Sequence, residues 1–168
     1  ALIGALGIMA GSQGTMNNFV WGNAEFQNYE TIAGGSGAGP GFHGCDAVQT
    51  HMTNTKMTDP EILEGRFPVR LRSFAIRRGS GGAGAYRGGH GALRRLEFLT
   101  DVTVTTLCSH RTVPPFGAAG GGTGVTGENW AELPDGQQIA LQGNDEIDLP
   151  AGSIFGLATP GGGGWGKA

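Results

Sequence analysis

Residues 28–64 read NYETIAGGSGAGPGFHGCDAVQTHMTNTKMTDPEILE, and the rest of the chain is interpreted outward from this stretch. Six glycines lie between residues 34 and 44. Because glycine has no Cβ, such a segment lets the backbone approach other atoms closely. Carboxylate, amide and imidazole side chains flank the glycines, and loops of this kind commonly carry binding or catalytic residues.

The end of this stretch predicts a short helix. Asp59 suits the N-cap, Pro60 suits the first helical position, and Glu61 places an acid in the first turn. We expect the helix to cover residues 60–64 and to end at Gly65, because glycine tolerates the left-handed backbone found at many helix ends.

The residues after this helix are typical of β-structure. Apolar and polar residues alternate over Val69–Arg77, and a change of face near Ser73 indicates a bulge. Further strands are expected at residues 93–99, 102–107, 137–142, 146–150 and 153–159. The side chains expected to face the core in the first two of these are Leu96, Phe98, Val102 and Val104. Residues 114–129 are predicted to be a loop.

These patterns predict a mainly β fold of the β-rich α+β class. We expect two parts. Residues 1–65 form a glycine-rich site segment with a short helix, which belongs to a larger catalytic domain. Residues 66–168 form a lobe that resembles an antiparallel β sandwich or barrel. The opening ALIGALGIMAG lacks an initial Met, and we expect the chain to be a piece of a longer polypeptide.

Composition excludes several classes of protein. A formal net charge of -3 is unlike the basic surface of nucleic-acid-binding proteins. The two cysteines, Cys45 and Cys108, have no metal-binding spacing, and free cysteines suit a cytoplasmic location. Because no apolar run is long enough to span a bilayer, we expect no membrane association.

His51, in QTHMTNT, is the strongest catalytic candidate in the sequence. Imidazole changes charge near neutral pH, so this side chain suits a general base or a donor that orients a ligand. A histidine held by backbone carbonyls is the competing interpretation. In an extended backbone His51, Thr53 and Thr55 would share one face, and Asn54 would lie on the other.

Each of the other candidates also has a structural alternative. Asn17 and Asn18 are either turn residues or a pair of amides that face a ligand. Glu30 and Asp46 are either an acid–base or metal-holding pair or two separate surface acids. Cys45 is a possible nucleophile beside His43 or His51, although a packing role is more common for a small residue between glycine and aspartate.

Two glycine motifs do not predict a nucleotide site. Gly79, Gly81 and Gly84 form GxGxxG after an expected strand, but the following AYRGGHG cannot begin the helix that a dinucleotide site needs. We expect this segment to be a hairpin connection. The segment TPGGGGWG, residues 159–166, lacks the GK[ST] ending of a phosphate-binding loop.

Six collinear segments resemble the C-terminal part of the hydantoinase B/5-oxoprolinase family. They are GSQGTMNN, YETIAGGSGAGPG, QTHMTNT, TDPEILEGRFPVRL, FAIRRGSGGAGAYRGGHG and TPGGGGWG. The resemblance spans nearly the whole chain. His90 and His110 depart from the family pattern, since acids are often found at these positions, and any role of those acids is in doubt here.

The resemblance implies ATP-dependent opening of a five-membered cyclic amide, either 5-oxoproline or a hydantoin. ATP would phosphorylate the ring amide oxygen, and water would attack the activated carbon. The side chains expected at the catalytic step are His51, Glu30 and Asn54. The residues expected to bind substrate or stabilise developing charge are Asn17, Asn18, Thr53, Arg66, Gly35 and Gly37.

The resemblance also implies partners for this sequence. ATP would be bound by a hydantoinase A-like subunit or domain, and the ligands of a divalent metal would lie in the remainder of the subunit. We assign no metal ligand to this chain, and we expect the isolated fragment to be inactive. Two alternatives stay open: a part of a related ATP-dependent ketone carboxylase, and a non-catalytic module that holds such an enzyme together.

Overall fold

A computed structural model describes residues 2–168 of the chain; Ala1, which begins the predicted site segment, lies outside the described residues. The two helices are α1 (Leu2–Ala5) and α2 (Pro60–Arg66). The strands are β1 (Asn17–Gly22), β2 (Gln27–Thr31), β3 (Val69–Arg77), β4 (Gly91–Phe98), β5 (Val102–Cys108), β6 (Glu128–Glu132), β7 (Gln138–Leu141), β8 (Asn144–Leu149) and β9 (Ile154–Ala158). The predicted mainly β class is confirmed.

Two antiparallel sheets form a sandwich. One sheet has the order β2-β1-β5-β8 and the other has the order β3-β4-β9-β6-β7. Strands from both sides of residue 65 therefore share the first sheet. Within the described chain the two predicted parts are joined by the pairing of β1 with β5. The division at residue 65 concerns the complete subunit and stays a prediction.

The core lies between the two sheets. Phe19 of β1 stacks on Phe155 of β9 with ring centroids 5.0 Å apart, and Trp21 packs on Phe98 at 5.5 Å. The four side chains that the sequence predicted to face inward are all buried: Leu96, Phe98, Val102 and Val104. Strand alternation places such residues on one face, so their burial against the opposite sheet stabilises the sandwich.

The end of helix α2 differs from the prediction. Asp59 caps the helix as expected, and its side chain accepts a hydrogen bond from the Glu61 N–H at 3.1 Å. The helix continues through Gly65 to Arg66 and ends at Phe67, which is extended. The residue before a proline is disfavoured in the helical region, so Pro68 is the physical reason for this end.

Three strands were not expected from the sequence. Asn17 and Asn18 belong to strand β1 rather than to a turn, and β1 pairs with both β2 and β5. Strand β6 begins inside the predicted loop at residues 114–129. Strands β1 and β6 depend on the distant partners β5 and β9, which local patterns do not reveal, and β2 pairs with β1.

The connection between β3 and β4 agrees with the prediction. A register shift between Leu71 and Ser73 marks the expected bulge. The two strands pair antiparallel, so the GxGxxG segment lies in a hairpin connection and is not followed by a helix.

Gly161–Gly164 run through the centre of a layer of glycine-rich segments, which we call the glycine layer. The Gly162 N–H donates to the Gly89 carbonyl at 2.9 Å, and the Gly163 N–H donates to the Gly11 carbonyl at 2.7 Å. A Cβ on Gly162 would overlap the carbonyl oxygen of Ser36. Glycine is therefore required here by close approach of neighbouring backbones.

Candidate functional site

An apolar cavity of about 630 Å³ lies beside the N-terminal helix. This volume falls within the range of small-molecule sites. The lining residues are Leu2, Ile3, Gly4, Ala10, Gly11, Ser12, Gly14, Thr15, His51, Met52, His110 and Phe116. Two imidazoles from distant parts of the chain thus face one largely apolar space.

A tight turn presents His51 to this cavity. The Thr53 N–H donates to the Thr50 carbonyl at 3.1 Å, and the Thr53 hydroxyl donates to the same oxygen at 2.8 Å. His51 has φ of 56°, so its backbone is in the left-handed region and the facing pattern of an extended strand does not apply at this residue. A side-chain hydroxyl that bonds a nearby carbonyl favours a turn over a strand, and this is the physical reason. His51 and Met52 are exposed at the tip of the turn.

His110 reaches the cavity from the segment after β5. Its φ is 55°, again in the left-handed region. Its Nδ1 lies 2.7 Å from the Val113 carbonyl oxygen. A carbonyl oxygen only accepts, so Nδ1 carries the proton and the neutral ring has its lone pair on Nε2. The sequence marked His110 only as a departure from the family pattern.

Glu30 lies in the core of the sandwich and does not line this cavity. Its carboxylate receives two hydrogen bonds from Arg94, at 2.8 Å from Nε and 2.7 Å from Nη2. Both side chains are buried, with exposed fractions of 4% and 1%. Its predicted catalytic partnership with His51 is therefore not formed in residues 2–168.

Asn17 and Asn18 are buried and point to opposite faces of β1. The Asn17 amide donates to Gln13 Oε1 at 2.9 Å and accepts from Arg111 at 2.9 Å. The Asn18 amide donates to Met16 Sδ at 3.0 Å. Successive strand residues alternate in direction, so the two amides do not converge with His51 as expected.

Arg111 organises a buried polar network that the sequence did not predict. Its Nε and Nη2 donate to Asn129 Oδ1 at 3.0 and 2.8 Å, and its Nη1 donates to the Ser109 carbonyl at 2.8 Å. No carboxylate of the described residues lies within ion-pair distance. Burial lowers the pKa of the Arg111 guanidinium from its usual value. The guanidinium charge of Arg111 is therefore held by the neutral oxygen atoms of Asn17, Asn129 and Ser109.

The other predicted binding residues lie away from the cavity. Asn54 and Arg66 are exposed, and the Thr53 hydroxyl is used within its own turn. Gly35 and Gly37 are buried in the glycine layer, where Gly35 contacts Gly89 and Gly37 contacts the Ala10 carbonyl. Of the predicted site residues, His51 alone lines the cavity within the described chain. The roles of the whole set stay predictions.

Asp46 ties two loops together instead of pairing with Glu30. It accepts hydrogen bonds from Arg87 Nη1 at 2.9 Å and from the His90 N–H at 2.8 Å. Burial acts to raise the pKa of Asp46, but these two donors and the Arg87 charge lower it more, so its pKa lies below the usual value. Cys45 is exposed beside this link and does not line the cavity with His51.

Within residues 2–168, neither the titratable side chains nor the GxGxxG segment has the arrangement typical of a metal site or a dinucleotide site. Residues 2–168 contain no group of three or more His, Cys, Asp or Glu side chains placed to hold a metal ion. Of the GxGxxG glycines, Gly81 packs against the backbone of Gly88 and Gly84 against that of Trp165, whereas a Cβ at Gly79 would meet no atom within 4 Å. None of the described helices has the length and apolar character needed to cross a membrane.

Comparisons with known proteins agree on one family. The family model described as Hydantoinase B/oxoprolinase matches residues 1–168. The chain is 47% identical over 156 residues to 5-oxoprolinase 1 of Arabidopsis thaliana, covering 93% of this chain and 12% of that protein. The chain thus spans about an eighth of this curated relative.

Two solved structures share the fold. The ATP-dependent caprolactamase from Pseudomonas jessenii superposes with a TM-score of 0.77 at 22% identity, covering 95% of this chain and 30% of that chain. A nucleotide-free acetone carboxylase superposes with a TM-score of 0.73 at 19% identity, covering 92% and 26% respectively. With the family model matching from end to end, the chain belongs to the hydantoinase B/oxoprolinase family.

Proposed function

We propose that this chain is part of an ATP-dependent enzyme that opens a five-membered lactam or hydantoin ring. The observation that carries the proposal is the 47% identity to 5-oxoprolinase 1 across 93% of the chain. The fold shared with a caprolactamase supports action on a cyclic amide. Because the relative is about eight times longer, most of the enzyme lies outside this sequence.

In this proposal the apolar cavity receives the ring, and His51 orients or deprotonates the attacking water. An apolar lining suits a compact ring and limits the number of competing waters. ATP is bound by a hydantoinase A-like subunit or domain, since residues 2–168 form no phosphate-binding loop. Any divalent metal is held by the remainder of the subunit, and the enzyme is cytoplasmic.

The test uses the complete subunit with its ATP-binding partner. We expect His51→Asn to reduce ring opening by about 100-fold or more, a typical loss when a group that orients or deprotonates the attacking water is removed. Asparagine is chosen because it tolerates the left-handed backbone of residue 51. Ring-opened acid and ADP are measured together, and the oligomer size is measured by light scattering. Lys56→Ala, an exposed change outside the cavity, is the matched control.

The outcomes separate catalysis from assembly. A loss of turnover with unchanged oligomer size supports the proposal. Unchanged turnover per assembled enzyme, together with a smaller oligomer, would show that this chain is an assembly module instead.

A second candidate function is supported by the acetone carboxylase likeness. In that case the complete enzyme would consume ATP and bicarbonate in the presence of a ketone and would form no ring-opened product from a lactam. Measuring ATP hydrolysis with 5-oxoproline, hydantoin and acetone as separate substrates distinguishes the two functions.

A further inference from the structure

We propose that His110 is the proton acceptor of the cavity, acting through Nε2. This inference rests on the proposed ring-opening function and assigns a second imidazole to the same site. Sequence patterns assign no role to His110. Its hydrogen bond, its neighbours and its place in the cavity support a role as proton acceptor.

The hydrogen bond to Val113 determines which ring nitrogen of His110 carries the proton. The 2.7 Å contact between Nδ1 and the Val113 carbonyl requires a proton on Nδ1. Neutral His110 therefore offers a lone pair on Nε2, which is what a general base needs. The same bond fixes the plane of the ring, so the lone pair has a defined direction.

The Cδ2–Nε2 edge of the His110 ring packs beside Gly14. Gly14 lines the cavity, and a Cβ at Gly14 would lie 2.9 Å from His110 Cδ2 and 3.3 Å from Nε2. The Nε2 edge is thus next to a cavity wall that has no side chain. A side chain at residue 14 would collide with the ring, so glycine allows the His110 ring to pack directly on this wall of the cavity.

The imidazoles of His51 and His110 differ in exposure and in how firmly they are held. His51 is at the exposed tip of a turn, where its neighbour Met52 is 86% exposed. His110 is partly buried and its Nδ1 is bonded to the backbone. A base that is already oriented loses less entropy when it acts, so the held ring is the better proton acceptor. His51 then orients the substrate or water.

The step assigned to His110 is the addition of water and the cleavage of the C–N bond; phosphoryl transfer from ATP belongs to the ATP-binding subunit or domain of the proposed function. An oxygen lone pair of water forms a bond to the ring carbonyl carbon, and the C=O π pair moves to the carbonyl oxygen. The water proton passes to Nε2 of His110, which becomes imidazolium. The lone pair on the carbonyl oxygen then re-forms the C=O bond as the C–N bond breaks with its electron pair staying on nitrogen, and nitrogen takes the proton from Nε2. His110 returns to its starting state.

The test compares two substitutions of His110 in the complete subunit with its partner. His110→Asn keeps an N–H donor near the position of Nδ1 and tolerates the left-handed backbone, but it removes Nε2. We expect it to lower the turnover number by about 100-fold or more, with the unfolding temperature nearly unchanged. His43→Asn, an exposed imidazole outside the cavity, is the matched control.

His110→Gly provides a second readout that a structural role would not produce. Glycine suits the φ of residue 110, and the missing ring leaves space for added imidazole. We expect added imidazoles to restore turnover, with rates that increase with the basicity of the added compound. Restoration that is independent of basicity would contradict proton transfer.

Other outcomes separate this inference from the function it rests on. An active wild type with an equally active His110→Asn would overturn the role of His110 and leave the proposed function standing. A wild type that opens no cyclic amide would overturn the proposed function itself. Independently of activity, ¹⁵N NMR of the chain must show the proton on Nδ1; a neutral ring protonated on Nε2 would refute the proposal.

Discussion

Glu30 of β2 and Arg94 of β4 form a bidentate ion pair between the two sheets, with both side chains almost fully buried. The two residues are 64 positions apart and belong to different sheets. The Arg94 guanidinium also lies 5.9 Å from the centre of the Phe74 ring. Each charge is compensated only while the other is present.

Breaking this pair should destabilise the chain strongly. We expect Glu30→Gln to lower the free energy of unfolding by about 3–5 kcal/mol, because it leaves the Arg94 charge buried without its carboxylate. Urea denaturation followed by tryptophan fluorescence measures the change, since Trp21 is fully buried. The double variant Glu30→Met with Arg94→Leu should recover most of the loss, as apolar replacements of buried pairs often do. A double variant as unstable as the single one would contradict this account.

The glycine layer should not tolerate even one added methyl group at its centre. We expect Gly162→Ala to cost more than about 3 kcal/mol of unfolding free energy, because its Cβ overlaps the backbone of Ser36 and backbone cannot rotate away. The matched control is Gly65→Ala in helix α2, where a Cβ meets no atom within 4 Å. That change should stabilise the chain by about 0.5–1 kcal/mol through helix propensity. Equal effects of the two substitutions would show that close packing is not the cause.

His90 should make stability depend on pH below neutrality. Burial and the Arg87 charge lower the pKa of His90, and Asp46 only partly opposes them. The folded state therefore binds its proton at lower pH than the unfolded state, whose pKa is near 6.5. Stability is fully present above pH 6.5 and declines as pH falls toward the folded pKa.

The measurement is the midpoint of urea unfolding between pH 5 and pH 8. His90→Asn retains an acceptor for the Gly81 N–H, which bonds Nδ1 at 3.0 Å, but it does not titrate. We expect this variant to show a smaller decline in stability between pH 6.5 and pH 5. A decline identical to that of the wild type would exclude His90 as its source.

The two cysteines should differ sharply in reactivity. Cys45 is exposed, whereas Cys108 is buried and burial raises the pKa of its thiol. Because the thiolate is the reactive form, we expect a thiol reagent to modify Cys45 quickly in the native chain and Cys108 only after unfolding. Cys45→Ser should abolish the fast reaction, and Cys108→Ser should leave it intact. Fast modification of both thiols in the native chain would contradict the burial of Cys108.

Local sequence rules predicted the parts of the fold that depend on neighbours in sequence. The cap at Asp59, the bulge near Ser73 and the inward residues of β4 and β5 follow from capping and alternation. The helix was predicted to end at Gly65. It continues to Arg66 because Gly65 stays helical, and it ends there because Pro68 disfavours a helical backbone at Phe67. Strand β1 was missed because its identity depends on pairing with β5 and on burial of Phe19 and Trp21. Strand β2 pairs with β1 and was missed with it.

The candidate site was predicted less well for a different reason. Residue type suggested Glu30 and the two asparagines as reactive groups, but Glu30 is bound by Arg94 and Asn17 by Arg111, both far away in sequence. Asn18 lies on the opposite face of β1 and bonds the nearby Met16. His51 was proposed because the family resemblance favours a catalytic role over a structural histidine, and the structure places it at the cavity. His110 was passed over because its hydrogen bond to Val113 and its left-handed backbone cannot be read from residue types.

The glycine layer has a consequence for biosynthesis. Gly161–Gly164 are translated after each of the segments they bond to, including those around Gly11, Gly82, Gly89 and Gly122. Until these residues emerge from the ribosome, the earlier segments have no central backbone to satisfy their donors and acceptors. Contacts between segments so distant in sequence form slowly. A nascent chain that stalls before Gly161 would therefore expose unsatisfied backbone and would be a substrate for chaperones or proteases.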